Sequence, residues 1–97
     1  MAVENPYRVM IIGQDRFGED VLSATRNLEG VEVPAVVTPK SENERVRISA
    51  TKLGIEAFPL VALDDPNFPN EIERLKIDLI AMAFVNKIIH NGDIFTK

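Results

Sequence analysis

The sequence predicts an α/β domain of three layers, with helices on both faces of a mostly parallel sheet. Short apolar runs alternate along the chain with segments whose apolar residues recur at helical spacing. Residues 8–12 include four consecutive apolar residues before Gly13, and residues 77–83 form a second strongly apolar run. Such runs, without polar alternation, are typical of parallel strands that are buried on both faces. Because strands and helices alternate, a parallel sheet with right-handed crossovers is favoured.

The first helix is predicted over residues 15–28 and the second strand over residues 31–37. Asp15 is expected to be the N-cap of the helix, and Gly30 to take the left-handed conformation just after it. Pro34 lacks a backbone donor, which favours an edge position or a strand start for its segment. The helix positions expected to face the sheet are Phe17, Val21, Ala24 and Leu28.

The second helix is predicted from a capping box in residues 41–44. Ser41 is expected to bond forward and Glu44 to bond back at the start of this helix. Gly54 is expected to end it, and residues 55–60 then form a short strand or extended segment. The expected inward positions are Val46, Ala50 and Leu53.

A third, short helix is predicted after the turn-rich residues 63–69. Asp65 and Pro66 are expected as its N-cap and first residue, and Pro69 is tolerable only in the first turn. Its apolar positions are Phe68, Ile72 and Leu75. The apolar strand of residues 77–83 follows.

The composition limits the classes of function. The chain has 97 residues, a net charge of −4 and no cysteine, which excludes disulfides, thiolate metal sites and a cysteine nucleophile. A general nucleic-acid surface needs clustered basic residues, and we interpret the one such cluster, Arg45, Arg47 and Lys52, as a solvated helix face. No apolar run reaches the ~18 residues of a membrane-spanning helix. The first residues do not resemble a signal region, so we expect a cytoplasmic protein without a membrane partner.

Gly13 and Gly18 stand where a phosphate-binding loop would lie, between a strand and a helix. Their spacing lacks the Lys and Ser/Thr of a P-loop and does not match G-x-G-x-x-G. Asp15, inside the loop, would repel phosphate. We therefore interpret both glycines as structural: Gly13 permits a tight turn, and Gly18 permits close packing of the helix on the sheet.

The other candidate site residues also have structural interpretations. His90, the only histidine, is expected to be a solvent-exposed loop residue and not a general base. Asp65 already has a capping role, so Asp64 and Asp65 are not expected to bind a metal. Phe17 and Phe68 are expected to be core anchors.

Residues 84–89, FVNKII, directly follow the last predicted strand. A loop at the carboxyl end of a strand can offer backbone groups to a planar heterocycle, with apolar side chains as walls. The same pattern is equally typical of a simple strand-to-helix connector, and both interpretations stay open.

Four segments, taken in order and spacing, suggest a family. They are residues 9–22 (VMIIGQDRFGEDVL), 35–39 (AVVTP), 50–58 (ATKLGIEAF) and 75–89 (LKIDLIAMAFVNKII). Together they resemble the N-terminal half of the formyltransferases that use 10-formyltetrahydrofolate. That family includes methionyl-tRNA formyltransferase and the hydrolase domain of formyltetrahydrofolate dehydrogenase.

The resemblance implies a Rossmann-like fold and transfer of a formyl group from 10-formyltetrahydrofolate to an amine. It also implies that residues 1–97 are a single N-terminal domain, incomplete relative to the family. The family's catalytic Asn and His, in an N-x-H-P-S-L motif, and its later catalytic Asp have no counterpart here, so no catalytic residue is predicted. A cofactor-binding role carries over, by resemblance, to the residues of the folate loop: Val85, Asn86, Lys87, Ile88 and Ile89.

Two other functions stay open at this point. One is a non-catalytic Rossmann-like module that binds a small ligand or a partner chain, and the other is an enzyme assembled from two chains. The strand of residues 77–83 is expected to leave an uncovered sheet edge, through which the chain would associate with itself or with a second chain.

Overall fold

The computed structural model describes residues 5–83, which form four strands, three α-helices and one 3-10 helix. In chain order these are β1 (Tyr7–Ile12), α1 (Asp15–Arg26), β2 (Val31–Thr38), α2 (Arg45–Leu53), β3 (Glu56–Pro59), the 3-10 helix (Leu60–Asp64), α3 (Phe68–Arg74) and β4 (Leu79–Met82). No helix within this part of the chain is long and apolar enough to span a membrane.

The four strands form one parallel sheet in the order β3-β2-β1-β4. This arrangement confirms the predicted parallel sheet and gives the chain a Rossmann-like α/β fold. β1 is central, and its residues from Val9 to Ile12 are all buried, as its uninterrupted apolar run predicts. Burying an aliphatic side chain of this size contributes about 1.5–3 kcal/mol, so β1 anchors both cores.

Successive side chains of β1 point to opposite faces of the sheet and enter two separate cores. Val9 and Ile11 pack with residues of α1 and α2. Met10 and Ile12 pack with Phe68 at the start of α3. The helices therefore lie on both faces of the sheet, and the three-layer prediction is confirmed.

Pro34 lies at an irregularity within β2, and the predicted edge position of its strand is wrong. Arg8 is opposite Glu32 and Met10 is opposite Ala35, so β2 carries one extra residue between these pairs. β2 is an inner strand, but its pairing with β3 begins only at Ala35. The missing N–H of Pro34 therefore falls at a bulge and outside the ladder with β3, where proline is tolerated.

The face that α1 turns to the sheet includes only Val21 of the four predicted inward positions. Gly18 and Leu22 are buried, whereas Phe17 and Leu28 are 55% and 58% exposed. A Cβ atom on Gly18 would lie 3.0 Å from the carbonyl carbon of Gly13. Because only glycine allows this approach, the helix turns Gly18 inward and its neighbour Phe17 outward.

The core-anchor prediction is thus wrong for Phe17 and confirmed for Phe68. The Phe68 ring is buried and meets the Phe58 ring edge-on, with 5.3 Å between the ring centroids. Among the predicted inward positions of α2, Val46 and Ala50 are buried, but Leu53 is 43% exposed because it lies in the last turn.

The start of α1 and the turn that follows it differ from the prediction. Asp15 is the first residue of α1, and Gln14 is the N-cap. The helix ends at Arg26 with Asn27 as its C-cap, earlier than predicted. Gly30 does have a positive φ of 79°, but it lies in the turn before β2 and not directly after the helix.

The hydrogen bonds at the start of α2 differ from those of the predicted capping box. Glu44, and not Ser41, is the N-cap, and its side chain accepts a hydrogen bond from the Val46 N–H. The Ser41 hydroxyl accepts one from the Asn43 N–H, within the preceding turn. Gly54 ends α2 in the left-handed conformation with a φ of 74°, as predicted.

The start of α3 is shifted from the predicted Asp65–Pro66 pair. Asn67 is its N-cap, while the Asp65 carboxylate accepts a hydrogen bond from the Asn67 N–H at 2.8 Å and so shapes the turn before the helix. Pro69 lies in the first turn, as predicted. The preceding residues, Leu60–Asp64, form the 3-10 helix, which the sequence pattern did not reveal.

β4 lies at the end of the sheet and is shorter than predicted. Within residues 5–83 it pairs only with β1. Leu79, Ile80 and Met82 are 48%, 39% and 37% exposed, so the predicted burial on both faces is wrong for this strand as described. The physical reason is its place in the sheet, since no element among the described residues lies beyond it.

Candidate functional site

The order of the strands reverses direction at β1. From β1 the chain proceeds to β2 and β3 on one side, and then returns to β4 on the other side. In open α/β sheets, ligands bind outside the carboxyl ends of the strands at such a reversal. The carboxyl ends of β1 and β4 are adjacent here, with Ile12 opposite Met82. This point is therefore the candidate ligand site.

An open groove of about 640 Å³ lies at this point, on the α3 face of the sheet. We call it the switch-point groove. Its floor consists of Ile12, Ile80 and Met82. Small-molecule sites span roughly 300–1,000 Å³ and are mostly apolar, so the groove has the size and the lining for a small organic ligand. Its wall comes from the 3-10 helix and α3 and includes Leu63, Asp64, Asp65, Pro66, Phe68 and Ile72.

One member of the acidic pair on this wall has a structural role. Asp65 caps the turn before α3, as described above. Among residues 5–83, no three or more His, Cys, Asp or Glu side chains lie close enough together to hold a metal ion. Asp64 and Asp65 instead give one rim of the switch-point groove a negative charge and hydrogen-bond acceptors.

The turn between β1 and α1 is closely packed and lies beside the groove at the same edge of the sheet. The Gly13 N–H donates to the Val37 carbonyl at 3.0 Å, and the Ala83 N–H donates to the Ile12 carbonyl at 2.8 Å. A Cβ atom on Gly13 would lie 2.8 Å from the Ala83 Cβ and 3.2 Å from the Gly18 Cα. Gly13 does not have a positive φ, so it is needed for close approach. This geometry supports the structural interpretation of the glycine loop.

A buried carboxylate holds this turn in place. Glu44 is 7% exposed, and its side chain accepts three hydrogen bonds. One oxygen accepts from the Thr38 hydroxyl at 2.5 Å and from the Val46 N–H at 2.9 Å. The other accepts from the Asp15 N–H at 2.5 Å. Asp15 itself has a φ of 60°, so the carboxylate stabilises an unusual backbone conformation at the start of α1.

The sequence did not reveal this role of Glu44. The capping box predicts only a bond within its own turn, whereas Asp15 is 29 residues away in the chain. The sequence did contain one indication of this role, which is the acidic type of the residue. An acidic side chain just before a helix is stabilised by the positive end of the helix dipole.

The three basic residues predicted as a cluster on α2 have different environments. Arg45 forms an ion pair with Glu19 at 2.8 Å. Hydrogen bonds from Arg45 and then Ser49 hold the pKa of the Glu19 carboxyl below its usual range. Lys52 is exposed, whereas Arg47 is half-buried and donates to the Pro39 carbonyl at 3.3 Å. The solvated face predicted for this cluster thus holds for Arg45 and Lys52 but not for Arg47.

The predicted cofactor-binding residues lie outside the described part of the chain. The residues concerned are Val85, Asn86, Lys87, Ile88 and Ile89, and His90 also lies there. The structure does describe Met82 and Ala83, which lead to them at the carboxyl end of β4. The prediction for the loop itself stays a prediction.

The fold and the switch-point groove define a class of protein, a Rossmann-like α/β domain with a ligand-sized groove where its strand order reverses. No model of a known protein family matches this chain, and no curated protein sequence matches it.

Proposed function

We propose that this chain is the N-terminal, folate-binding part of a formyltransferase that uses 10-formyltetrahydrofolate as formyl donor and an amine as acceptor. The observation that supports this most is the position of the switch-point groove. The groove includes Met82, the last residue of β4, and the segment that resembles the folate loop begins directly after that strand. A ligand in the groove would therefore contact the end of β4, the last described strand before the residues to which the resemblance assigns cofactor binding.

The groove has the chemistry to receive a reduced pterin ring. Its apolar floor suits a flat ring system, and the carboxylates of Asp64 and Asp65 are acceptors for the amino and ring N–H groups of a pterin. When bound, 10-formyltetrahydrofolate would supply the formyl group. The described residues would bind and orient the ring, and the acid–base groups for the transfer would come from outside this chain.

The binding role predicts a difference between two adjacent residues of β4. Ile80 is part of the groove, whereas Leu79 points to the opposite face of the strand and is similarly exposed. We expect Ile80→Gln to weaken binding of 5-formyltetrahydrofolate, a stable analogue, by about tenfold, which corresponds to ~1.4 kcal/mol. Isothermal titration calorimetry measures this, with Leu79→Gln as the matched control that should bind like the wild type.

Equal binding by both variants would place the ligand elsewhere, and no binding to the wild-type chain would contradict the proposed folate role.

The isolated chain is expected to have no formyl-transfer or formyltetrahydrofolate hydrolase activity. The reason is that the family's catalytic Asn, His and Asp motif has no counterpart in the sequence. The measurement is release of tetrahydrofolate from 10-formyltetrahydrofolate by the purified protein. Turnover above the uncatalysed rate that is lost in His90→Ala would refute this prediction and would make His90 a catalytic residue.

Among residues 5–83, no strand pairs with the outer edge of β4. This edge supports a second function, binding of another chain, and we propose that it pairs with β4 of a second copy. The two edges of the sheet differ in protection. β3 carries Glu56, which pairs with Arg74 at 3.1 Å, and ends at Pro59. β4 has only the apolar residues LIAM, and the adjacent Asp78 carboxylate is engaged with the Arg8 N–H of β1 at 2.9 Å.

Charges and prolines are the usual protection of an edge strand against pairing. β3 has both, and β4 has neither. Antiparallel pairing of β4 with its own copy would place apolar side chains opposite apolar side chains and would satisfy backbone groups of both edges. As far as the described residues show, the outer edge of β4 is therefore suited to a two-fold symmetric contact.

A further inference from the structure

The N-termini of two helices meet at one buried carboxylate. α1 and α2 both begin at the carboxyl edge of the sheet, after β1 and β2 respectively. The Glu44 carboxylate accepts the Asp15 N–H of the first helix at 2.5 Å and the Val46 N–H of the second at 2.9 Å. The Thr38 hydroxyl, at the end of β2, completes its hydrogen bonds. With 7% exposure, this is a buried anion with no basic side chain among its hydrogen-bond partners.

The turn that Glu44 contacts is one at which ligand phosphates bind in other α/β domains. The first turns of helices carry unpaired N–H groups and a partial positive charge, and the turn after the first strand is where nucleotide phosphates bind. Here the Asp15 N–H is already used by a protein carboxylate. A phosphate at the same turn would meet the charge of Glu44 and also the exposed Asp15 carboxylate, which lies 3.2 Å from the Gln14 amide nitrogen.

We infer that Glu44 is a built-in anion that closes the β1–α1 turn to phosphate and thereby determines the class of ligand accepted at the carboxyl edge. Ligands that must place a phosphate at the turn after β1, such as nucleotides, are excluded. Ligands that bind in the switch-point groove alone are not excluded. This inference is independent of the proposed folate role, because it concerns the other side of β1 and rests on different residues.

The inference is tested by removing the carboxylate and supplying an anion from solution. In Glu44→Ala, sodium formate or inorganic phosphate should raise the melting temperature in a saturable manner and should shift the amide NMR signals of Asp15 and Val46. The wild type should show neither saturable effect, because the Glu44 carboxylate already accepts hydrogen bonds from these two N–H groups. Glu42→Ala is the matched control, since Glu42 is an exposed acid of the same loop and its removal changes the net charge equally.

Sodium chloride at equal ionic strength separates a specific anion from general salt screening. A wild-type chain that binds phosphate at the Asp15 and Val46 amides would overturn the inference. So would an equal response of Glu44→Ala and Glu42→Ala to formate. If Glu44→Ala does not fold by itself, its refolding yield is compared in formate and in chloride: recovery only in formate supports the inference, and no recovery in either salt contradicts it.

Discussion

Gly13→Val is expected to destabilise the domain by about 3 kcal/mol, the upper part of the range for forced overpacking. Its Cβ would lie 2.8 Å from the Ala83 Cβ and 3.2 Å from the Gly18 Cα, and valine adds two further methyl groups. Neither contact involves the end of a flexible side chain that could move aside. Since β1, β4 and α1 all meet at this turn, the strain affects the centre of the fold. Urea or thermal unfolding measures the loss.

The contact with Ala83 supplies an internal control for this prediction. Gly13→Ala should also be destabilising, and the double variant Gly13→Ala/Ala83→Gly should recover part of the loss, because the second change removes the atom that the new Cβ meets. Contacts of this kind are expected to be non-additive. A Gly13→Val protein that melts like the wild type would contradict the close approach, and strictly additive effects in the double variant would contradict its assignment to Ala83.

The sheet was predictable because its signals are local. The apolar run of β1, the glycine at the end of α2 and the early proline of α3 each report on the backbone around them. The orientation of α1 was not predictable in this way. Apolar periodicity predicts that Phe17 and Leu28 face the sheet, and it gives no information on Gly18, which has no side chain. Close approach at Gly18 nevertheless determines which face of the helix is buried.

The candidate site depends on contacts between distant parts of the chain. The residues of β4 are all apolar, so the sequence does not distinguish those that line a groove from those that do not. The order of the strands places Ile80 and Met82 at an open groove. Glu44 acts on a turn 29 residues away, which a local capping motif cannot indicate. The assignment of residues 85–89 to folate binding rests on resemblance alone and these residues lie outside the described range, so that part of the site stays a prediction.

The isolated chain is expected to dimerise in a concentration-dependent manner, and Leu79→Lys is expected to weaken the dimer by tenfold or more, about 1.4 kcal/mol or above. Leu79 lies on β4, the outer strand of the sheet within residues 5–83, and is 48% exposed, so a lysine there should leave the monomer folded. In a two-fold contact the new charge occurs twice, and like charges across paired strands are destabilising. Ala81 is the more central position but packs against the core, where a charge would disturb the fold itself.

Val61→Lys provides the control for this last prediction. Val61 is 72% exposed on the 3-10 helix, so this substitution makes the same apolar-to-charged change at a surface away from β4. Sedimentation velocity over a range of concentrations should therefore show association for the wild type and for Val61→Lys, and mostly monomer for Leu79→Lys. A wild-type chain that stays monomeric at high micromolar concentration would count against pairing through this edge. So would equal dimer affinities for the two lysine variants, because the contact would then not include β4. The comparison isolates the edge strand because both variants carry the same added charge and differ only in the surface that bears it.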